Sequence, residues 1–546
     1  MRSPRLALAA SAVLIATGLA VPSLAAEAVT TTNGCIESVP EPGSETPVKI
    51  CWTIHQPAGS SVDAPVPMVM QSHGWAGSRS RNAGSFTPWL DKGFGILSFD
   101  QRGFGESGGL AHVENPDLEG QDVIKLVDLI ASLDWVAKEA PQTTTVEQTR
   151  NPGKSAGKGQ GDKDGHTTTT TTTVPTPFEN DPVLGAIGGS YGGGYQFVGA
   201  FTELRDFGAT RFDALAPEIT WFDLKEALAP DEVARTTWLS LLQAAGARDV
   251  PQEILAGYAY AAGTGLWPGA GNPVVDLDTF FEKNGPKHHV SQGRQLDIPV
   301  LFGQGITDNL FNLNQGLKNY DNALTPEARA KSLFVGYNGG HTLPNALPQG
   351  FGGSKDPCSA QLGGGSFSTL AQRFMQENLA GVQTGLTGFG DYHLATAGEQ
   401  CVTVQSVQPT DSVELGSVAT TTAAGGPVAY ELGAGPLRIA GQPLVDAAVT
   451  SVGVENRAFL ALSVGTSPLN AKVVSNNVMP INEPLPVVGE QRTIELPAVA
   501  VDVPAGQKLF LTVSPVSDMF VAHGSRTPGA LVLENTVVRL PVVPQG

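Results

Sequence analysis

A serine hydroxyl becomes a useful nucleophile when the chain lifts it into the open and supplies a base to take its proton. The pattern Gly-x-Ser-x-Gly meets the first condition, and the sequence carries it three times, around Ser107, Ser155 and Ser190. With 65 glycines in 546 residues the pattern arises easily by chance, so the surroundings must choose among the three. Ser155 lies in a polar stretch with no strand before it. Ser107, in Arg102-Gly-Phe-Gly-Glu-Ser-Gly-Gly109, is followed by a loop through Asn115-Pro116. Ser190 follows a buried apolar run, Pro182-Val-Leu-Gly-Ala-Ile-Gly188, and precedes a segment that reads as a helix, Gly192 to Leu204. A strand-to-helix turn raises the hydroxyl above the sheet edge. Small neighbours let the chain turn sharply, and the helix N-terminus favours a developing oxyanion.

The partners of such a serine follow in the order Ser, Asp or Glu, His, each just past the carboxyl end of a strand. His341 comes after the strand-like Leu333-Phe-Val-Gly336 and a glycine turn. His288 and His289 precede the strand at Ile298, His393 follows the last helix, and His523 lies in a β-rich tail. Asp308 leaves the strand Val300 to Gly303, whereas Asp297 enters it and Asp321 sits past a helical turn. The candidate triad is therefore Ser190, Asp308 and His341. The oxyanion hole is expected to use the backbone N–H of Tyr191 and a donor from His73-Gly74-Trp75-Ala76-Gly77. Trp75 can supply that donor through its backbone or its indole. His73 precedes the nucleophile and reads as a brace for this loop. No cofactor is needed, and no cysteine or histidine spacing supports a metal site.

These residues require a frame. From about residue 47 to 385, short apolar runs alternate with helical spacing. The strands are Val48 to His55, Pro67 to Ser72, Gly95 to Asp100, Pro182 to Gly188, Ile298 to Gly303 and Leu333 to Gly336. Val123, Leu126, Val127, Ile130, Leu133 and Val136 mark one helix face, and Ser368 to Leu379 a closing helix. This pattern predicts a mainly parallel sheet covered on both faces. Two insertions interrupt it. Residues 141–180, with a run of seven threonines, lack apolar periodicity and read as a loosely held surface loop. Residues 205–290 hold short helical pieces, Trp221 to Leu228 and Thr236 to Ala245, placed where a lid could cover a pocket. After Cys401, short β-branched runs separated by Gly, Pro and Asn predict a β-sandwich over 401–546.

The chain is 41% hydrophobic and 16% charged, ample for real cores, and its formal charge of −19 argues against nucleic-acid binding through a basic surface. Arg2 and Arg5, the apolar run Leu6 to Val21 and the small residues at Ala25-Ala26 read as a signal peptide over 1–26. The apolar run is short of the roughly 20 residues a spanning helix needs. In an exported chain the four cysteines are expected to pair, and nearest neighbours give Cys35–Cys51 and Cys358–Cys401, the second clamping one domain to the next.

Ser72-His-Gly74, Asp100 to Gly109, Asp122 to Trp135, Gly188-Gly-Ser-Tyr-Gly-Gly193, Asp213 to Trp221 and the tail stretch Val503 to Val513 together resemble the CocE/NonD and Xaa-Pro dipeptidyl-peptidase (peptidase S15) group. The resemblance implies an α/β-hydrolase: a doubly wound, mainly parallel sheet with a helical lid over 27–400, then a jelly-roll-like sandwich that closes the chain. It implies the same Ser190, Asp308 and His341. Where the group often offers a tyrosine hydroxyl to the oxyanion, this chain has Trp75. The expected function is a secreted serine hydrolase of the dipeptidyl-peptidase type acting on peptides. An esterase of small acyl esters, and a non-catalytic protein binding carbohydrate or cell wall, are the alternatives. A free α-amine would need an acid in the pocket, and Glu218, in the lid segment, is the candidate by position.

Overall fold

A computed structural model describes residues 28–139, 143–147, 169–173, 178–342, 355–423, 425–521, 523–525 and 527–544. The expected signal peptide, Ser155 and most of the threonine insertion lie outside the described residues.

Ten strands form one sheet. They are β1 (Thr30–Ser38), β2 (Val48–Gln56), β3 (Met68–Ser72) and β4 (Gly95–Phe99), then, after a separate pair β5 (Thr143–Glu147) and β6 (Thr169–Thr173), β7 (Leu184–Gly189), β8 (Ala214–Glu218), β9 (Leu301–Gly305), β10 (Leu333–Tyr337), β11 (Tyr392–Ala395) and β12 (Cys401–Val404). Their order is β1-β2-β4-β3-β7-β8-β9-β10-β11-β12. Neighbours from β4 to β11 run parallel, and antiparallel strands close both edges. Every residue of β4 and β9 is buried. That is why these strands read as continuous apolar runs: a parallel sheet is covered on both faces.

The helices that matter for the site are α1 (Thr87–Leu90), α2 (Glu119–Ala131), α3 (Tyr191–Phe207), α4 (Leu224–Leu228), α5 (Thr236–Gly246), α6 (Gln252–Thr264), α7 (Leu277–Phe280), α8 (Pro286–Ser291) and α9 (Leu313–Asn322). Helices α10 (Pro326–Arg329), α11 (Pro357–Gln361) and α12 (Phe367–Ala380) complete the set. Gly185 on β7 makes room for Met375 and Leu379 of α12; a Cβ there would sit 2.6 Å from the Met375 sulfur. The alternation of the strand then points Leu184 and Ala186 to the other face, where both are fully buried.

The C-terminal region is antiparallel throughout. One four-stranded sheet orders Asp411–Thr422, Gly529–Leu540, Leu444–Val452 and Glu490–Glu495. The facing sheet orders Val428–Ala434, Lys508–Ser514, Asn456–Gly465 and Lys472–Val473. Val445, Val449, Leu460, Leu462, Leu511 and Leu533 fill the space between them.

Four expectations need correction. The lid segment 205–290 contains a sheet strand, β8, so the helical cover begins only at α4. Pro217 hides this strand from a propensity reading. The boundary at Cys401 is displaced, because β12 completes the large sheet. The Cys358–Cys401 disulfide therefore ties α11 to the edge strand of that same sheet, while Cys35–Cys51 crosslinks paired residues of β1 and β2. Arg492 to Val503 is two strands in different sheets, interrupted at Pro497. In the threonine insertion, β5 and β6 pair antiparallel, Thr143 against Thr173, as β-branched side chains favour.

Candidate active site

Ser190 sits between β7 and α3 with φ 58° and ψ −123°, a conformation that L-residues adopt at a cost of about 1–3 kcal/mol. Surrounding bonds hold it there. Its N–H donates to the carbonyl of Glu218 at 2.9 Å, and its carbonyl accepts from Gly193 at 2.8 Å and Gly194 at 3.1 Å. The motif glycines are sterically required: a Cβ on Gly188 would lie 2.5 Å from the Gly192 carbonyl, and one on Gly192 would lie 2.6 Å from that of Ser72. Tyr191 is the first residue of α3, so its N–H has no intrahelical acceptor.

Asp308 and His341 meet after β9 and β10. The Asp308 carboxylate is fully buried and accepts four N–H groups. His341 Nδ1 (2.7 Å) and backbone N–H (2.9 Å) bind Oδ2, and the N–H groups of Leu310 (2.9 Å) and Phe311 (2.8 Å) bind Oδ1. Burial alone would lower the His341 pKa. The Asp308 charge and hydrogen bond, with a smaller push from Glu218, outweigh it and leave the imidazole above its usual value of 6.5. The ring packs edge-on against Phe311 at 5.3 Å and Trp238 at 5.9 Å.

Ser190, Tyr191, Trp75 and Phe311 all line one cavity. Its walls come from α4, α5, α6 and α7 and from the Trp75 loop. The rings of Trp75 and Tyr191 stack edge-to-face at 5.1 Å. The Trp75 indole N–H donates to the carbonyl of Leu242 on α5 at 3.0 Å, which leaves the backbone N–H as the donor this residue can offer. Gly246 permits that closeness, since a Cβ would lie 2.6 Å from the indole nitrogen.

The other sequence candidates have structural duties. Ser107 donates to the Asp100 carbonyl at 2.7 Å and accepts from the Cys51 N–H at 2.9 Å. His73 accepts from the Gln101 N–H at 3.1 Å and binds the Gly74 carbonyl at 2.9 Å, so it braces its loop. Glu218 is not in a lid. It ends β8, its carboxyl is hydrogen-bonded by Tyr337, and burial pushes its pKa up to about 7. It does not line the cavity. Among the described residues no cluster of His, Cys, Asp or Glu could hold a metal.

Sequence reading missed the residues that hold the acid-bearing turn. Arg235, wholly buried, donates to the Asn309 carbonyl at 2.8 Å, and Trp238 Nε1 donates to the Asn309 side chain at 2.9 Å. Asn477, from the C-terminal sandwich, donates to the Asp308 carbonyl at 2.7 Å. Nothing in the sequence links positions 169 residues apart.

Residues 46–342 match the description of the X-Pro dipeptidyl-peptidase (S15) family. The chain belongs to that family. This S15 protein is a hydrolase enzyme, and solved structures carry its fold at full length. A CocE/NonD family hydrolase from Staphylococcus aureus is 11% identical with a TM-score of 0.56, covering 94% of each chain. An aminopeptidase from the marine sediment archaeon Thaumarchaeota archaeon is 13% identical with a TM-score of 0.59, covering 94% of this chain and 96% of its own. An alpha-amino acid ester hydrolase is 12% identical with a TM-score of 0.56, covering 96% and 100%. At these identities the likeness is one of fold, an α/β-hydrolase sheet followed by antiparallel sheets. No curated protein matches the S15 chain.

Proposed function

We propose that the protein is an exported serine hydrolase that cleaves a carboxylic ester or amide through an acyl-enzyme. The observation that carries this reading is the pairing of His341 Nδ1 with Asp308 beside a cavity that contains Ser190 at a strained strand-to-helix turn. Asp308 fixes the tautomer that leaves His341 Nε2 free to accept a proton. Nε2 takes the Ser190 proton as Oγ attacks the substrate carbonyl, and the N–H groups of Tyr191 and Trp75 receive the oxyanion. His341 then returns the proton to the leaving alcohol or amine, and water reverses the sequence to release the acid. Export is supported by the leader-like residues 1–26 and by two disulfides. The domain division that goes with this reading is a catalytic part from 27 to about 404 and a sandwich from there to the C-terminus.

The test is a rate comparison of the mature protein with Ser190→Ala on an Ala-Pro anilide and a short-chain nitrophenyl ester, together with fluorophosphonate labelling. Turnover and labelling of the wild type, both lost in Ser190→Ala, are expected. Turnover retained by Ser190→Ala removes the nucleophile. A wild type that neither labels nor turns over returns the protein to the binding class. The family description points to the anilide, a dipeptidyl substrate. The ester passes through the same acyl-enzyme, and the shape and charge of the cavity decide between them.

A further inference from the structure

The cavity beside Ser190 has a chemical bias that separates peptide from ester. Its described lining contains no Asp, Glu, Lys, Arg or His. Leu224, Leu228, Val250, Ile254, Ala261 and Leu277 make most of its depth, and Gln243 and Tyr258 are neutral. Two of the three indoles in its wall have their N–H groups engaged elsewhere, Trp75 with the Leu242 carbonyl and Trp267 with Asp278 at 2.9 Å; the third, Trp221, has a buried N–H that is a donor and so offers nothing to a cation.

The acids behind the wall cannot serve an incoming cation. Asp278 is already neutralised by Lys225 at 2.9 Å, and it faces an outer groove on the far side of Leu224, Leu277 and Phe281. Glu218 is held by Tyr337. Glu114 lies behind Trp221, fully buried and outside the cavity lining, and burial together with the Glu119 and Asp122 carboxyls raises its pKa well above the usual range. An ammonium brought into this space would lose its hydration and gain no counter-charge, a large penalty. Each methylene brought in would be favoured.

Resting on the serine-hydrolase reading above, we infer that the acyl group this site accepts is uncharged and apolar, of medium chain length, and that substrates with a free amine on the acyl side are excluded. Leu224, Leu277 and Phe281, with solvent beyond them, form the wall that ends the chain. Gly257 lets Leu277 reach across; a Cβ at Gly257 would lie 2.4 Å from Leu277 Cδ1.

The experiment uses the mature wild-type protein and nitrophenyl esters of acetate, butyrate, hexanoate and 6-aminohexanoate, alongside Ala-Pro anilide and its N-acetyl form. The expected kcat/KM rises roughly fourfold per methylene from acetate to hexanoate, then falls at least about 100-fold for 6-aminohexanoate. A flat or falling series overturns the inference. So does a 6-aminohexanoate rate within tenfold of hexanoate, or an Ala-Pro anilide cleaved faster than its N-acetyl form. Ile254→Glu is expected to narrow the hexanoate to aminohexanoate ratio at least tenfold, and an unchanged ratio in a folded variant counts against the inference. The wild-type series stands without that variant if it fails to fold. Ser190→Ala separates the two levels of the argument. Hydrolysis by the mutant defeats the nucleophile, whereas a dead mutant beside a flat wild-type series defeats the acyl class alone.

Discussion

Around Asp308 each carboxylate oxygen has two N–H partners, whereas the cavity next to it is lined by side chains with almost nothing polar to offer. The two surfaces share residues. Leu310 and Phe311 give their backbone N–H groups to Asp308 and their side chains to the cavity. The acid side needs one orientation held against thermal motion, so it is built from directional bonds. The binding side needs to prefer one class of group over another, so it is built from apolar area and the absence of charge. Chemistry and selectivity can then be altered separately, and that separation can be tested.

The largest effect is expected on the bonded side. Asp308→Asn keeps the shape but replaces a fourfold acceptor with a group that must also donate. The expected loss in kcat is about 10⁴-fold with KM little changed, read by steady-state kinetics on any turned-over ester. The second prediction concerns pH. In the proposed mechanism His341 must be neutral to accept the serine proton, and its pKa is raised, so activity is expected to fall as pH drops through a midpoint above 6.5. In Asp308→Asn, burial is opposed only by the weaker push from Glu218, and the residual activity should persist to lower pH. A pH–kcat/KM profile of both proteins checks the sign.

Smaller effects discriminate between donors. Trp75→Phe removes the indole but keeps the backbone N–H, so kcat should fall less than about tenfold. A loss of 10²–10³-fold would mean that the indole itself serves the oxyanion. Asn477→Ala strips the Asp308 carbonyl of its buried donor, which should cost about 1–3 kcal/mol of stability and a few-fold in kcat. Asn314→Ala cuts two bonds between the two regions away from Ser190, Asp308 and His341: Asn314 Nδ2 donates to the Leu496 carbonyl, and its Oδ1 accepts from the Ala498 N–H. It should lower Tm at least as much and leave kcat alone. If Asn477→Ala behaves the same way, the sandwich supports the fold without positioning the acid.

What could be read in advance follows from range. The placement of Ser190 at a strand-to-helix turn was legible because strand, glycine turn and helix are contiguous, and the placement of Asp308 and His341 past strand ends because each leaves a recognisable apolar run. β1 was not legible, since Thr30 to Ser38 is a polar edge strand held by pairing with β2 rather than by an apolar face. β8 was concealed by Pro217 and Glu218. The state of the Trp75 indole, the screening of Asp278 by Lys225 and the reach of Asn477 are products of packing between distant segments, and no local pattern announces them.

Aromatic placement has one more consequence. Of the seven tryptophans, Trp75, Trp221 and Trp267 line the cavity and Trp238 stands edge-on to His341, while none occurs after residue 267. The sandwich is therefore dark in indole emission, and four of the seven indoles stand in the cavity wall or against His341. Filling the cavity or acylating Ser190 changes the surroundings of those rings directly. If the proposed acyl-enzyme forms, the protein thus carries its own optical reporter, and acylation can be followed in real time with no attached dye.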